Sequence, residues 1–156
     1  MIRHATLVAG ALALTGCASV INDVTHPIKV ETKTQAGAVV VGAECKLTND
    51  YGVVQLKSGD TAQVRRSSKD LDIVCKDPAH PDATAKAISR ANGGMFGNIL
   101  LGGGIGAIID HNKGTAYSYP IWVQMVFGKS LVFDRSSEKE GVPTVGTEAP
   151  AATASK

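Results

Sequence analysis

The stretch CKLTNDYGVVQLKSGDTAQVRRSSKDLDIVC, residues 45 to 75, decides the fold. It divides into short runs of period-two alternation separated by turn residues. Ala43 to Leu47 places Cys45 and Leu47 on one face. Val53 to Lys57 turns Val54 and Leu56 inward. Thr61 to Arg66 does the same with Ala62 and Val64, and Leu71 to Cys75 with Leu71, Ile73 and Cys75. Between them lie Asn49-Asp50-Tyr51-Gly52, Ser58-Gly59-Asp60 and Ser67 to Asp70. Asn, Asp, Ser and Gly either tolerate the required turn conformations or bond to their own backbone. Alternation over runs of this length is the signature of half-buried strands, and close spacing between turn signals argues for antiparallel pairing.

The same period extends outward. Ile28 and Val30 alternate with Lys29 and Glu31, Gln35-Ala36-Gly37 turns the chain, and Val39 to Val41 continues as strand toward Ala43. Downstream, Asp77-Pro78-Ala79-His80-Pro81-Asp82 reads as an exposed loop, since two prolines fix the backbone extended. Asp77, His80 and Asp82 can be drawn as metal ligands, but no second histidine lies near, and a solvated loop fits better. Ala83 to Asn92 fits either a helix or an edge strand. Ile121 to Phe127 is the clearest strand, apolar on both faces and so central or doubly covered. Ser136 to Lys156, rich in Glu, Pro, Ala, Thr and Ser, lacks the apolar side chains to offset its ordering entropy and reads as a disordered tail. The expected fold is therefore mainly β (α+β), a small antiparallel β-sandwich or sheet. One or two short Gly-rich apolar helices cover it, and a disordered C-terminal tail follows.

The chain has 156 residues, a net charge of +2 and 4% aromatic residues. That charge is too small to imply a nucleic-acid partner, which needs a clustered basic face; the adjacent pair Arg65-Arg66 has no interleaved aromatics.

The N-terminus carries an address. Arg3 lies in a short basic region, and the apolar run Ala5 to Leu14 is too short to span a bilayer, which takes ~20 apolar residues. Leu14-Thr15-Gly16-Cys17 follows. These residues resemble the lipobox of bacterial lipoproteins, in which a Leu and two small residues precede the modified cysteine. The resemblance implies removal of residues 1–16 and lipid on Cys17. It also implies membrane association through those acyl chains, each buried methylene contributing ~0.8 kcal/mol. Ala18 stands where inner-membrane lipoproteins of Gram-negative bacteria carry Asp, so the resemblance implies an outer-membrane, periplasm-facing location. Giving Cys17 to lipid leaves Cys45 and Cys75 as an even pair. Two readings stay open, a disulfide suited to an oxidising compartment and a pair of free buried thiols; export favours the bridge. No Cys-x-x-Cys is present to suggest thiol exchange. The expected organisation is signal peptide 1–16, tether 17–27, one β-rich domain 28–134 and tail 135–156.

The run GGMFGNILLGGGIGAIID, residues 93–110, is apolar and uncharged until Asp110. It is not a phosphate-cradling loop: Gly104 and Gly106 supply G-x-G, but Ile109 stands where the last glycine belongs, and no Lys-Ser or Lys-Thr follows. Two readings remain. Gly102 and Gly106 lie four apart, as do Gly103 and Ala107, the spacing that lets helix backbones approach closely in lipid. With Gly97 these glycines are candidates for membrane contact or self-association. Met95 to Ile109 as one helix reaches only ~22 Å, short of the ~30 Å hydrocarbon core. It can lie at the interface or form a hairpin broken at the glycine triplet. The alternative is an internal segment packed over the sheet.

Phe96-Gly97-Asn98, Gly102-Gly103, Ile105-Gly106, Ile109-Asp110, Gly114, Ala116-Tyr117 and Tyr119-Pro120 together form a pattern similar to that of small envelope lipoproteins of uncharacterised role. Those join a strand-rich module, similar to PEGA domains, to a Gly-rich apolar segment and a final strand. The resemblance implies a non-catalytic binding or structural role, with an envelope protein or a second copy as partner; the Cys45/Cys75 pair departs from the PEGA pattern. Ser58, Asp60, Asp77, His80, Asp110 and His111 form no recognised catalytic motif. Neither an enzyme nor a cofactor is expected.

Overall fold

The computed structural model describes residues 24–91 and 116–150. Twelve strands are formed there. They are β1 (Thr25–Lys33), β2 (Val39–Val40), β3 (Glu44–Asn49), β4 (Gly52–Lys57), β5 (Thr61–Arg65) and β6 (Leu71–Asp77). Then come β7 (His80–Ala87), β8 (Arg90–Ala91), β9 (Tyr117–Ser118), β10 (Trp122–Val126), β11 (Ser130–Phe133) and β12 (Gly146–Glu148). One sheet is centred on β1, which pairs with β10 on one edge and with β5 and then β2 on the other. The second sheet runs β12-β11-β7-β6-β3-β4, and β8 and β9 form a separate two-stranded ribbon.

The alternation legible in the sequence sets the faces. Ile28 and Val30 on β1 and Val123 and Met125 on β10 turn inward from the first sheet. They meet Cys45, Leu47, Leu71, Ile73, Cys75, Ala85 and Phe133 from the second in one buried cluster. Each fully buried large aliphatic side chain contributes ~1.5–3 kcal/mol, so this sheet-on-sheet contact is the main source of stability. Thr32 is the polar exception on the inner face of β1. Its backbone N–H donates to Ser58 Oγ at 2.9 Å and its Oγ1 to the Val40 carbonyl at 2.7 Å. The buried Ser58 hydroxyl thereby bridges the interval between β5 and β2 on the edge of β1.

Four expectations need correction. First, no α-helix covers either sheet among the described residues; the one helical element there is the 3₁₀ turn Arg135–Ser137. Each sheet covers the other, which removes the need for a helical layer. Residues 93–110, to which the sequence assigns those helices, lie outside the described residues. Second, the sandwich is mixed rather than antiparallel, because β1 pairs with β10 and β7 with β11 in parallel. The short turn Phe127 to Lys129 lets β10 and β11 run on into different sheets. Third, the segment after residue 134 is not a disordered tail up to residue 150. The Thr144 N–H donates to the Trp122 carbonyl at 2.8 Å, and β12 pairs antiparallel with β11. Backbone pairing, rather than apolar content, orders it. Fourth, Val39 to Leu47 is not one strand. Gly42, with φ +83°, breaks it into β2 and β3 of different sheets.

Register also settles smaller points. Ala83 to Ala87 is strand, with Ala83, Ala85 and Ala87 on the buried face of β7. Small side chains there admit the bulk of the facing β10. Pro78-Ala79 is the tip of the β6–β7 hairpin, whose last pair is Asp77 with His80. β1 begins at Thr25, inside the expected tether.

Candidate functional site

β1, β6 and β10 begin, and β3, β5, β7 and β11 end, at the same end of the sandwich. This proximal pole carries the entry of β1 at Val24, the β3–β4 turn, the loop 66–70, the β8–β9 ribbon and the loop 134–138. It is cross-tied by side chains. The buried Tyr119 hydroxyl donates to the Lys69 carbonyl at 2.8 Å and accepts from Asn49 Nδ2 at 3.2 Å. Ser67 Oγ donates to Asp50 Oδ1 at 2.5 Å, and Ser89 Oγ to the Ser67 carbonyl at 2.5 Å. Arg65 lies over the Tyr51 ring, 4.1 Å from its centroid.

Within this framework His26, Arg66, Arg90, Ala91, Ser118, Arg135 and Ser136 line an open depression. His26 comes from the inner face of β1, opposite Val64 in the β1–β5 register, and is 5% exposed. Neither of its buried ring nitrogens makes a hydrogen bond. Burial first, and the neighbouring Arg66 guanidinium second, lower its pKa from 6.5 to about 4. The Tyr119 carbonyl and Glu138 act in the opposite direction, and Arg135 adds to the lowering. The carbonyl is close without standing in hydrogen-bonding geometry. His26 is therefore a neutral imidazole in a cationic surrounding.

The arginines are fixed by the loops around them. Arg66 donates from Nε to the Thr25 carbonyl at 3.1 Å, from one terminal nitrogen to the Tyr117 carbonyl at 3.0 Å, and to Ser118 Oγ. It thus joins the start of β1 to β9. Arg90 holds Asp134 through Nε at 3.1 Å and a terminal nitrogen, and keeps that carboxyl well below the usual carboxylate range. Arg135 donates from Nε to Glu138 Oε2 at 3.1 Å, while Oε1 of the same carboxylate accepts from the Ile121 N–H at 3.1 Å. Asp134 and Glu138, the carboxylates that hold Arg90 and Arg135, do not line the depression. Each guanidinium on the lining is thus fixed by partners from the surrounding loops.

The residues that the sequence singles out lie elsewhere or outside the described residues. Cys45 and Cys75 form a disulfide between directly paired positions of β3 and β6, with Cα atoms 4.0 Å apart and both residues buried. Cys17 and Gly97, Gly102, Gly103 and Gly106 lie outside the described residues, as do Asp110 and His111. Ser58 serves the Thr32 network. His80 stacks on Phe127 with centroids 5.0 Å apart, and Asp82 pairs with Lys76 at 3.3 Å. No cluster of three or more metal-ligating side chains occurs among the described residues. Tyr119 is core, Trp122 lies under Lys29 on the outer face of the first sheet, 4.2 Å from ring centroid to Nζ, and Tyr117 is half-buried.

No family model, curated protein or solved structure matches the chain. The resemblances noted above therefore rest on the residues that carry them, and the site on its geometry.

Proposed function

We propose that this chain is an outer-membrane lipoprotein held by lipid on Cys17, with a non-catalytic structural or binding role in the cell envelope. The observation that carries the reading is the buried Cys45–Cys75 bridge. It accounts for two of the three cysteines, calls for an oxidising compartment and leaves Cys17 as the acceptor within Leu14-Thr15-Gly16-Cys17. The first strand begins at Thr25, eight residues after the proposed lipid acceptor.

A second reading, membrane insertion or self-assembly through the Gly-rich segment 93–110, gains support from topology. β8 ends at Ala91 and β9 begins at Tyr117, paired at the proximal pole where β1 also begins. Tether and Gly-rich segment thus join the sandwich at one end, and both membrane contacts can be made together. The test is envelope fractionation of wild type and Cys17→Ser, with labelled palmitate in the cells. The lipoprotein reading expects label on the wild type alone, and a soluble, monomeric Cys17→Ser chain. Absence of label from the wild type refutes it. A labelled wild type with a Cys17→Ser chain that still sediments with membranes or oligomerises supports a contribution from residues 93–110.

A further inference from the structure

We propose that the open edge of β4 takes up, as an added strand, an extended segment of an envelope partner that alternates apolar with acidic residues. β4 ends the second sheet, and the strand that follows it, β5, pairs with β1 in the first. The β3–β4 register decides which backbone groups point outward. Asn49 and Gly52 flank a two-residue turn and so exchange their hydrogen bonds, which puts the next bonded positions of β4 at Val54 and Leu56. The Ser58 N–H continues that phase onto the Ala43 carbonyl at 2.8 Å. Val53, Gln55 and Lys57 fall between, with N–H and C=O aimed away from β3. The Lys57 carbonyl accepts from the Asp60 N–H at 3.0 Å. The N–H groups of these three residues and the carbonyls of Val53 and Gln55 meet no partner among the described residues. Proteins blunt such edges with bulges, proline, short strands or lysine. β4 has neither bulge nor proline, and its one lysine stands at its end. The edge at the other end of the sheet, β12, is only 3 residues long, and that of β10 is met by the Thr144 N–H.

The side chains along this edge state which strand fits. Val54 and Leu56 pack against the core yet stay partly exposed at the open flank of the sandwich. A strand added beside them extends the inner face, so its inward residues are apolar. On the outer face stand Val53, 51% exposed, Gln55 and Lys57. Lys46, Lys57 and Lys76 share a hollow there with Glu44 and Asp60. Lys76 pairs with Asp82 at 3.3 Å, whereas Lys46 and Lys57 form no ion pair among the described residues. That unmatched positive charge calls for carboxylates at the outward positions of the partner, since opposite charges directly across a strand pair stabilise it. In strand addition the main-chain bonds supply affinity and alternate side chains supply specificity. The inference deepens the binding role proposed above and rests on it for the partner's location. Lipid on Cys17 is read separately by palmitate label, so each can fail without the other.

The probe is a short, end-capped, fluorescent peptide alternating valine with glutamate, titrated into the full-length Cys17→Ser chain at neutral pH. Its anisotropy should rise to saturation, and a valine–lysine peptide should bind about tenfold more weakly. Hydrogen exchange read by NMR should show new protection at the Val53, Gln55 and Lys57 amides. Those of Val54 and Leu56, already bonded to β3, should not change. Gln55→Pro removes the central outward N–H without breaking a bond to β3, which is where an edge strand admits proline. It should weaken binding about tenfold. Gln63→Pro, at an outward position of β5, should bind as the parent does. Lys57→Glu, at an exposed side chain, should weaken the glutamate peptide about threefold and favour the lysine one. The proposal is overturned if the glutamate peptide does not bind, or if those three amides gain no protection. It is overturned if Gln55→Pro, folded by near-ultraviolet circular dichroism, binds like the parent, or if the lysine peptide binds as tightly as the glutamate one. It is also overturned if the peptide-free chain already protects the three amides and sediments as a dimer, which gives the edge to a second copy.

Discussion

Lowering the pH should destabilise this protein through His26 before any carboxylate is involved. His26 is buried, and its pKa falls from 6.5 to about 4 on folding. Between those values the unfolded chain binds a proton that the folded chain refuses, so stability is full above pH 6.5 and is lost progressively toward pH 4. The whole shift is worth at most about 3 kcal/mol, and the span from pH 7 to pH 5 about 2 kcal/mol. In a domain of this size 2 kcal/mol lowers the melting temperature by roughly 10 °C. Asp134 and Glu31 also have lowered pKa values, held there by Arg90 and Lys29. Their contribution is present above the usual carboxylate range and is lost only as pH falls through their own lower values, so the window from 7 to 5 belongs to His26 rather than to them. The assay is urea unfolding by circular dichroism at four pH values across that window, in phosphate-free buffer, for the native chain and His26→Leu. Because neither ring nitrogen is hydrogen-bonded, the leucine variant should match the native chain at pH 7 within about 1 kcal/mol. It should then hold its stability down to pH 5. Parallel loss of stability in the two proteins would refute the assignment.

Two further outcomes follow from the fold. Replacing Cys45 and Cys75 together by alanine releases a cross-link that closes a sequence separation of 30, and the chain-entropy model gives a loss of about 3.5 kcal/mol in urea unfolding, beyond the side-chain burial forgone. Gly146→Ala places a Cβ 2.7 Å from Cε1 of the fully buried Phe133 ring. Ring or strand must shift at a cost of about 1–3 kcal/mol, and the β11–β12 amides should lose protection from hydrogen exchange while those of β3 and β6 keep theirs.

Gly146 also marks where the sequence ceases to be legible. Residues Cys45 to Cys75 can be read nearly strand by strand, because each run alternates and each turn has its own chemistry. The inward positions Leu47, Val64, Leu71 and Ile73 are buried as that alternation requires. The segment after Asp134 has neither signal. It is ordered by backbone pairing to strands distant in sequence, with Thr144 against Trp122 and β12 against β11. Composition cannot report such pairing, since a short polar edge strand resembles a linker. The same limit hides the parallel pairs. Alternation fixes which side chains share a face but is silent on which strand lies beside β1, and β10 begins 89 residues after Lys33.

The candidate pocket is invisible in the sequence for a sharper reason. Its titratable members are His26, Arg66, Arg90 and Arg135, one from each of four separate places in the chain. No short window of the sequence holds more than one of them, and each alone reads as an ordinary residue at the end of a strand. The single clue is His26 itself. In the alternation Thr25, His26, Pro27, Ile28, Lys29, Val30, the histidine falls in phase with Ile28 and Val30, and so on the core side of β1. A titratable ring continuing an apolar face needs either a partner or a lowered pKa. Following that phase back two residues from Ile28 therefore raises a functional question about this pole from the alternation alone. The parallel pairing of β1 with β10 then answers part of it, since it carries the chain past Ser118 and Tyr119 on the way to Trp122 and sets that loop beside the ring.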